Sequence, residues 1–116
     1  MDLAIRSDAE ILTIADPIMD NLMEASTTMD HARHVRDFTD RLKAIVTKEY
    51  LEQVCRQYQS EKGVFRPREL VAIFRRPHSI AIVWKQQFTK SPGDYVAQMV
   101  LVQEGSRHLV DHVYVL

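Results

Sequence analysis

The fold is decided by residues 80–116, which read IAIVWKQQFTKSPGDYVAQMVLVQEGSRHLVDHVYVL. Apolar residues recur at every second position here, the period of an extended strand whose side chains alternate between two faces. Ser91-Pro92-Gly93-Asp94 suits a type II turn, and Gly105-Ser106 is a tight hairpin signal. Because such short connections join antiparallel neighbours, this stretch predicts a β-meander.

The same pattern extends upstream to Gly63. Four strands are predicted at about residues 69–75, 80–88, 95–103 and 108–116, and Arg76-Pro77-His78-Ser79 separates the first two.

Before Gly63 the apolar period is helical. Ser7 and Glu10 fit a capping box, followed by apolar residues at helical spacing: Ile11, Ile14, Ala15, Ile18, Leu22 and Ala25. Pro17 either kinks this helix or begins a new one capped by Asp16.

Two further helical stretches are predicted. Asp30 caps the first, which has an apolar face of Val35, Phe38, Leu42 and Ile45. Thr47 caps the second, and Gly63 is its expected left-handed stop. The sequence therefore predicts one α+β domain over residues 1–116, in which helices at about 7–62 pack on a four-stranded antiparallel meander at about 65–116.

Composition bounds the class of protein. With 116 residues and a hydrophobic content of 46%, the chain has room for one core and is too apolar for a disordered protein. The single Cys55 excludes an internal disulfide and suits a reducing compartment. We see neither a signal peptide nor a run long enough to cross a membrane, so a soluble cytoplasmic protein with no cofactor and no membrane partner is expected.

Charge is segregated along the chain. Residues 1–61 hold seven basic and twelve acidic side chains, a net of −5; residues 62–90 hold seven basic and one acidic, a net of +6; residues 91–116 hold one basic and three acidic, a net of −2. The basic segment could follow a nucleic-acid backbone. Pairing of its arginines with the acids of the helical half, within the chain or across a dimer, is the favoured interpretation.

Both faces of the predicted sheet are apolar. The second predicted strand has Ile80, Ile82, Trp84 and Phe88 on one face and Ala81 and Val83 on the other. The third has Ala97, Met99 and Leu101 on one face and Val96, Val100 and Val102 on the other. The fourth has Val110, Tyr114 and Leu116 opposite Leu109, Val113 and Val115. Helices can cover only one face, and a second copy of the chain is the simplest partner for the other. We therefore predict a homodimer through the sheet.

The order of three helices and a four-strand meander resembles the cystatin-like fold of the nuclear transport factor 2-like superfamily. Four segments make residues 29–116 similar to small bacterial domains of unknown function within it: YQSEKGVF (58–65), REL (68–70), VWKQQF (83–88) and SPGDY (91–95). The resemblance implies a curved sheet, a cone whose wide end can hold an apolar ligand, and dimerisation through the sheet. Some members place Asp and His in the cone as acid–base catalysts, and others have no activity.

A ligand pocket is predicted around the second strand. Trp84 and Phe88 flank the polar Gln86, and Met99 and Tyr114 complete the predicted lining. Large aromatic residues beside a single amide suit a small apolar ligand. The alternative is that these residues are plain core, with Gln86 bonded to the protein itself.

Asp111 and His112 are the weak catalytic candidates. A carboxylate beside an imidazole can orient it as a general base, yet adjacent strand residues point to opposite faces and cannot form a dyad. His108 and His112 are predicted to share a face, but four strand residues place them roughly 13 Å apart, too far for one metal ion. The alternative is that these are solvated strand histidines.

The helical half contains two other candidate sites, a pair of histidines and a cysteine. His31 and His34 lie one turn apart, a spacing that can bind a metal with Asp30 or Asp37, although surface histidines on a charged helix are much commoner. No metal site is predicted. Cys55 lies in an apolar stripe and is interpreted as a buried small hydrophobe.

Three functions are compatible with these residues. The first is a non-enzymatic dimeric domain that binds a small apolar ligand or a partner protein. The second is a small lyase or isomerase with Asp111 or His112 as its general base. The third, an oligonucleotide binder through the basic segment, requires affinity that falls steeply with salt.

Overall fold

A computed structural model describes residues 2–116. After a 3-10 turn at Asp2–Ile5, its elements in chain order are α1 Asp8–Thr27, α2 His31–His34, α3 Asp40–Ile45, α4 Lys48–Lys62, β1 Glu69–Arg75, β2 Ile80–Gln86, β3 Tyr95–Glu104 and β4 Arg107–Val115. The strands form one open, curled antiparallel sheet in the order β1-β2-β3-β4. The predicted α+β fold, helices followed by a four-stranded meander, is confirmed.

Helix α1 begins at the predicted capping box. The Glu10 N–H donates to Ser7 Oγ at 3.2 Å, and the Ser7 N–H donates to Glu10 Oε1 at 3.1 Å. Pro17 lies inside this helix, so one helix forms where the sequence allowed two. Proline removes one backbone hydrogen bond. The helix continues past it because its core-facing side is buried on both sides of Pro17, at Ile11, Ala15, Met19 and Leu22.

The second predicted helical stretch is wrong as a single segment. It is divided into α2 and α3 at Phe38, which forms a parallel bridge with Val110. The Thr39 N–H donates to the Val110 carbonyl at 3.0 Å, and the Val110 N–H donates to the Asp37 carbonyl at 2.7 Å. Because these backbone groups pair with β4, they cannot continue a helix. Thr39 caps α3, and Asp30 caps α2 as predicted.

Helix α4 has the predicted ends. Thr47 caps it by accepting from the Tyr50 N–H at 3.1 Å, and Gly63 ends it with a φ of 87°. A side chain at Gly63 would also collide with Thr89 Oγ1. Glycine is therefore required here both by conformation and by space.

The strands follow the predicted order, but β2 ends early, and the register shifts both in β1, between Leu70 and Ala72, and in β4. Strand β2 ends at Gln86, two residues earlier than predicted, since Phe88 leaves the ladder to form a separate bridge with Phe65. In β4, Val110 pairs with Leu101 and His112 with Val100, so Asp111 is an unpaired extra residue, a β-bulge.

The bulge corrects two predictions. Val113 is paired with Met99 and packs on the core with Val110, whereas Tyr114 is paired with Gln98 and is 53% exposed. Val110 and Tyr114 therefore do not share a face. His108 is in register with Gln103 and His112 with Val100, so these two histidines also lie on opposite faces.

Helices cover one face of the sheet, here called the inner face. Its three rows, read from β1 to β4, are Leu70–Trp84–Ala97–Val115, Ile73–Ile82–Met99–Val113 and Arg75–Ile80–Leu101–Val110. The opposite, outer face has no covering element in the part of the chain that the structure describes. Its rows include Phe74–Ala81–Val100–His112 and Ala72–Val83–Gln98–Tyr114. Within residues 2–116, no helix is both long and apolar enough to cross a membrane.

Candidate functional site

A cavity of about 490 Å³ lies between the helices and the edge of the sheet at β4. Its walls come from the second half of α1, from α3, from one face of α4 and from residues 112–115 of β4. Ligand-binding pockets in proteins commonly enclose 300–1,000 Å³. This cavity is therefore large enough for a small organic ligand, and it is the main candidate site.

One side of α4 forms the longest wall. Its lining residues recur at helical spacing, and they are Tyr50, Leu51, Val54, Cys55, Tyr58, Glu61 and Lys62, with Gln57 beside them. Leu51 and Cys55 are fully packed, whereas Tyr50 and Val54 remain 43% and 40% exposed. The cavity is thus closed on the core side and open to solvent along the other side of the helix.

A neutral polar cluster lies in this wall. The Ser26 hydroxyl is 2.8 Å from the Tyr58 hydroxyl and 3.2 Å from Cys55 Sγ. Burial raises the pKa of the Cys55 thiol and the pKa of the Tyr58 phenol above their ordinary values, and the hydrogen bonds with Ser26 only partly oppose this. Both groups stay protonated near neutral pH, so the cluster offers hydrogen bonds and no activated nucleophile.

His34 supplies an unpaired polar atom to the same cavity lining. Its Nδ1 is buried and makes no hydrogen bond, and its ring packs edge-on against Phe38 with centroids 5.3 Å apart. Burial, together with the nearby His31, lowers the pKa of His34 to about 4. The imidazole is therefore neutral at physiological pH, and its Nδ1 is a buried polar atom without a hydrogen-bond partner.

An aromatic cluster closes the end of the cavity near the C-terminus of α4. Tyr58, Phe65 and Phe88 have ring centroids 5.0–6.0 Å apart, and Tyr95 packs edge-on against Phe88 at 5.1 Å. The Lys62 ammonium lies 4.7 Å from the Tyr95 ring centroid and 5.6 Å from that of Phe88. The rings hold the lysine by cation–π attraction.

The residues predicted to line a pocket are divided by the structure. Phe88 and Tyr114 lie in the wall of the large cavity, but Met99 and Gln86 do not. Gln86 is 1% exposed, and its side-chain amide donates to the carbonyl of Arg66 and, at 2.9 Å, to that of Gln87. Trp84 lines a second, smaller cavity of about 330 Å³ beneath Arg68. Whether a ligand contacts any of the five stays a prediction.

Asp111 and His112 are not brought together. The Asp111 carboxylate accepts from the Thr39 hydroxyl at 2.9 Å and from Arg41 Nε at 3.1 Å. Partial burial raises the pKa of Asp111, but the hydrogen bonds from Arg41 and Thr39 outweigh it and hold that pKa below its usual value. His112 is exposed on the other side of the strand, where its Nε2 lies 3.0 Å from Gln98 Oε1.

The histidines of α2 have different partners. His31 Nε2 is 2.8 Å from the Val46 carbonyl, whereas His34 lines the cavity. Among residues 2–116, no group of three or more His, Cys, Asp and Glu side chains is placed to share a metal ion.

Two arginines of the basic segment pair with the helical half, which is part of what the favoured interpretation predicted. Arg68 bonds the carboxylates of Asp16 and Asp20 at 3.1 and 2.9 Å, and Arg75 bonds Asp8 at 2.6 Å. Arg68 also lies over the Trp84 ring, 5.1 Å from its centroid. These contacts tie β1 to α1 within one chain, and they use two of the arginines that a nucleic-acid backbone would need.

Sequence reasoning missed the cavity-lining roles of Ser26, Tyr58 and His34. The apolar stripe that contains Cys55 was the available signal for this wall. Nothing in the spacing showed that Ser26, 29 residues before Cys55, would lie against it.

Comparisons with known proteins show that the chain shares its fold with solved structures, but they assign it to no family. No family model matches the chain, and no curated protein matches its sequence. Its structure is similar to that of Bd1075 from Bdellovibrio bacteriovorus, with 9% identity and a TM-score of 0.54, over 94% of this chain and 42% of that protein. It is also similar to RPA3114, a SEC-C motif containing protein from Rhodopseudomonas palustris, with 9% identity and a TM-score of 0.53, over 89% of each chain.

A DUF4783 family protein from Bacteroides ovatus aligns over 82% of this chain and 90% of its own, with 10% identity and a TM-score of 0.48. The chain thus spans less than half of Bd1075 and most of the other two proteins. At this level of identity the likeness shows a fold shared with bacterial proteins, and activity has to be argued from the site.

Proposed function

We propose that this protein is a non-enzymatic binding domain whose cavity takes a small, mainly apolar ligand. The observation that carries the proposal is the cavity of about 490 Å³, whose wall is mainly apolar and also contains polar and charged side chains. Ser26 and Tyr58 offer hydroxyl groups, and His34 Nδ1 lacks a partner. A few fixed polar groups in an apolar cavity are the usual composition of a ligand site.

The arrangement of acid and base groups favours binding over catalysis. A lyase or isomerase needs a general base within reach of the substrate and of a second polar group. Asp111 is engaged by Arg41 and Thr39 with a lowered pKa, which makes it a weak base, and His112, although it lines the cavity, is exposed and bonded to Gln98. The enzyme hypothesis therefore has less support than the binding hypothesis.

We further propose that the fold is of the cystatin-like type found in the nuclear transport factor 2-like superfamily. A curled four-stranded meander with helices on one face, and a cavity between them, is what that resemblance leads us to expect. The single buried Cys55 suits a reducing compartment, and on that basis we place the protein in the cytoplasm.

The outer face of the sheet supports a proposed homodimer. Four strands of seven to ten residues present a face of roughly 400–600 Å² in projection. Because side chains protrude from this plane, the accessible area of the face is larger than its projection and approaches the ~800 Å² per partner of a standard interface. Phe74, Val96, Tyr114 and Leu116 are between 39% and 58% exposed there. An antiparallel sheet face this apolar is best covered by an identical face.

Native mass spectrometry of the purified protein, followed by titration with the apolar dye Nile red, tests ligand binding. We expect a small bound mass or saturable dye binding. Val54→Trp should fill the cavity and weaken dye binding at least about tenfold, a loss of about 1.4 kcal/mol. Arg56→Trp, on the same helix but outside the cavity lining, is the matched control and should bind normally. Equal dye binding by the two variants would contradict the proposal.

A further inference from the structure

The cavity is elongated along α4. Its lining on that helix extends from Tyr50 to Lys62, a separation of twelve residues, or roughly 18 Å at the helical rise. Aliphatic residues line the wall toward Tyr50, namely Ile45, Val46, Leu51 and Val54, whereas the Lys62 end is lined by the aromatic rings of Phe65 and Phe88. An extended ligand with its apolar part along this wall fits such a shape better than a compact one does.

Positive charge is concentrated at the other end. Among the described residues Lys62 has no ion-pair partner, whereas Arg41, the second cation in the cavity lining, is paired with Asp111 at 3.1 Å. Lys90 adjoins Lys62, because its N–H donates to the Lys62 carbonyl at 2.8 Å. Glu61 is the one carboxylate in the lining at this end, and it is exposed. The local charge is therefore net positive.

The aromatic cluster fixes the position of the Lys62 ammonium. The rings of Tyr95 and Phe88 lie 4.7 and 5.6 Å from it and remove water from one side of the charge. An ammonium held in this way binds an anion more strongly than one on a mobile, fully hydrated side chain. The C-terminus of α4 disfavours an anion through its free carbonyls, but two of these are bonded, since Gly63 N–H and Lys90 N–H donate to those of Gln59 and Lys62.

We infer that the ligand is a single-chain amphiphile with a carboxylate head, bound with its head at Lys62 and its apolar chain along α4 toward Tyr50. This inference rests on the proposed function, binding of an apolar ligand in the same cavity. A cationic head would be repelled by Lys62, and a neutral head would leave the ammonium without a partner.

Three ligands with the same chain and different heads test the inference: decanoate, decan-1-ol and decyltrimethylammonium, each below its micellar concentration, in competition with Nile red at low salt. Decanoate should bind about tenfold more tightly than the alcohol, the effect of one charge-assisted contact. The advantage should shrink in high salt because the pair is partly exposed.

Lys62→Met should bring decanoate to within about twofold of the alcohol. Lys48→Met, on the same helix and outside the cavity lining, is the matched control and should keep the full preference. Circular dichroism and urea unfolding check that both variants fold.

The outcomes separate the two proposals. If the dye and all three ligands bind without preference for decanoate, the inference of an anionic head is refuted and the apolar site stands. The same conclusion follows if the preference for decanoate survives in Lys62→Met. Tightest binding of decyltrimethylammonium refutes the anionic head as well. Absence of binding by the dye and by every chain overturns both proposals.

Discussion

The two faces of the sheet differ far more in burial than in composition. The middle inner row is Ile73–Ile82–Met99–Val113, and the adjacent outer row is Phe74–Ala81–Val100–His112. Ile82 and Met99 are fully buried, whereas Phe74 is 55% exposed. Successive residues of one strand are thus alternately buried and exposed, because the helices cover only one face of the sheet. The comparison teaches that burial in this sheet depends on which face the helices reach, and the proposed dimer would cover the other face.

The largest effect that would sharpen this comparison is expected from neighbouring positions on β2. Ile82→Ala should lower the free energy of unfolding by roughly 2–5 kcal/mol, since it removes buried methyl groups and leaves a cavity in the core. Val83→Ala, on the outer face, is the matched variant and should cost under about 1 kcal/mol in the monomer. Urea unfolding at low protein concentration measures both. Equal losses would mean that the two faces are equally buried.

Two histidines extend the comparison to pH. His34 is half-buried and has a pKa of about 4, against an ordinary value of 6.5. As the pH falls below 6.5 the unfolded chain binds a proton there and the folded chain does not, so stability should fall by roughly 3 kcal/mol down to about pH 4. Urea unfolding as a function of pH measures this slope.

The matched variants are conservative. His34→Gln should flatten the slope between pH 6.5 and 4, whereas His112→Gln, at an exposed position of the outer face, should leave it in place. An unchanged slope in His34→Gln would show that this histidine is not the group that links acid to unfolding.

The smallest effect on the folded chain is expected from a charge on the outer face. Val100→Glu should leave monomer stability within about 1 kcal/mol and weaken dimerisation at least about a hundredfold, because each interface would bury two unpaired carboxylates. Analytical ultracentrifugation over a concentration series measures the association. Lys43→Glu, on exposed α3, is a control of equal sign and should dimerise normally. A wild-type protein that stays monomeric at high concentration would refute the proposed dimer.

Local signals in the sequence predicted most of the elements. Capping residues Ser7, Asp30 and Thr47, the stop at Gly63 and the turns at Pro92-Gly93 and Gly105 each act through neighbours a few residues away. Such interactions are visible in one dimension, so the helix starts and the order of the strands could be inferred.

The errors lie where a distant residue changes a local pattern. Phe38 has the apolar spacing of a helix, yet its backbone pairs with Val110, 72 positions away. The unpaired Asp111 shifts the alternation of β4 by one residue, which moved Tyr114 and His112 to the outer face. A bulge depends on the register of the neighbouring strand and on the Thr39 and Arg41 contacts, and periodicity alone does not carry that information.

By itself the sequence determined the α+β class, the order of its strands and the presence of two apolar sheet faces, since these depend on period, capping and turn chemistry. Only the tertiary structure decided which face is covered, that Ser26, His34 and Tyr58 line one cavity, and that Arg68 and Arg75 pair with α1. The physical reason is that burial and side-chain pairing depend on segments far apart in the chain, and packing determines which of them meet.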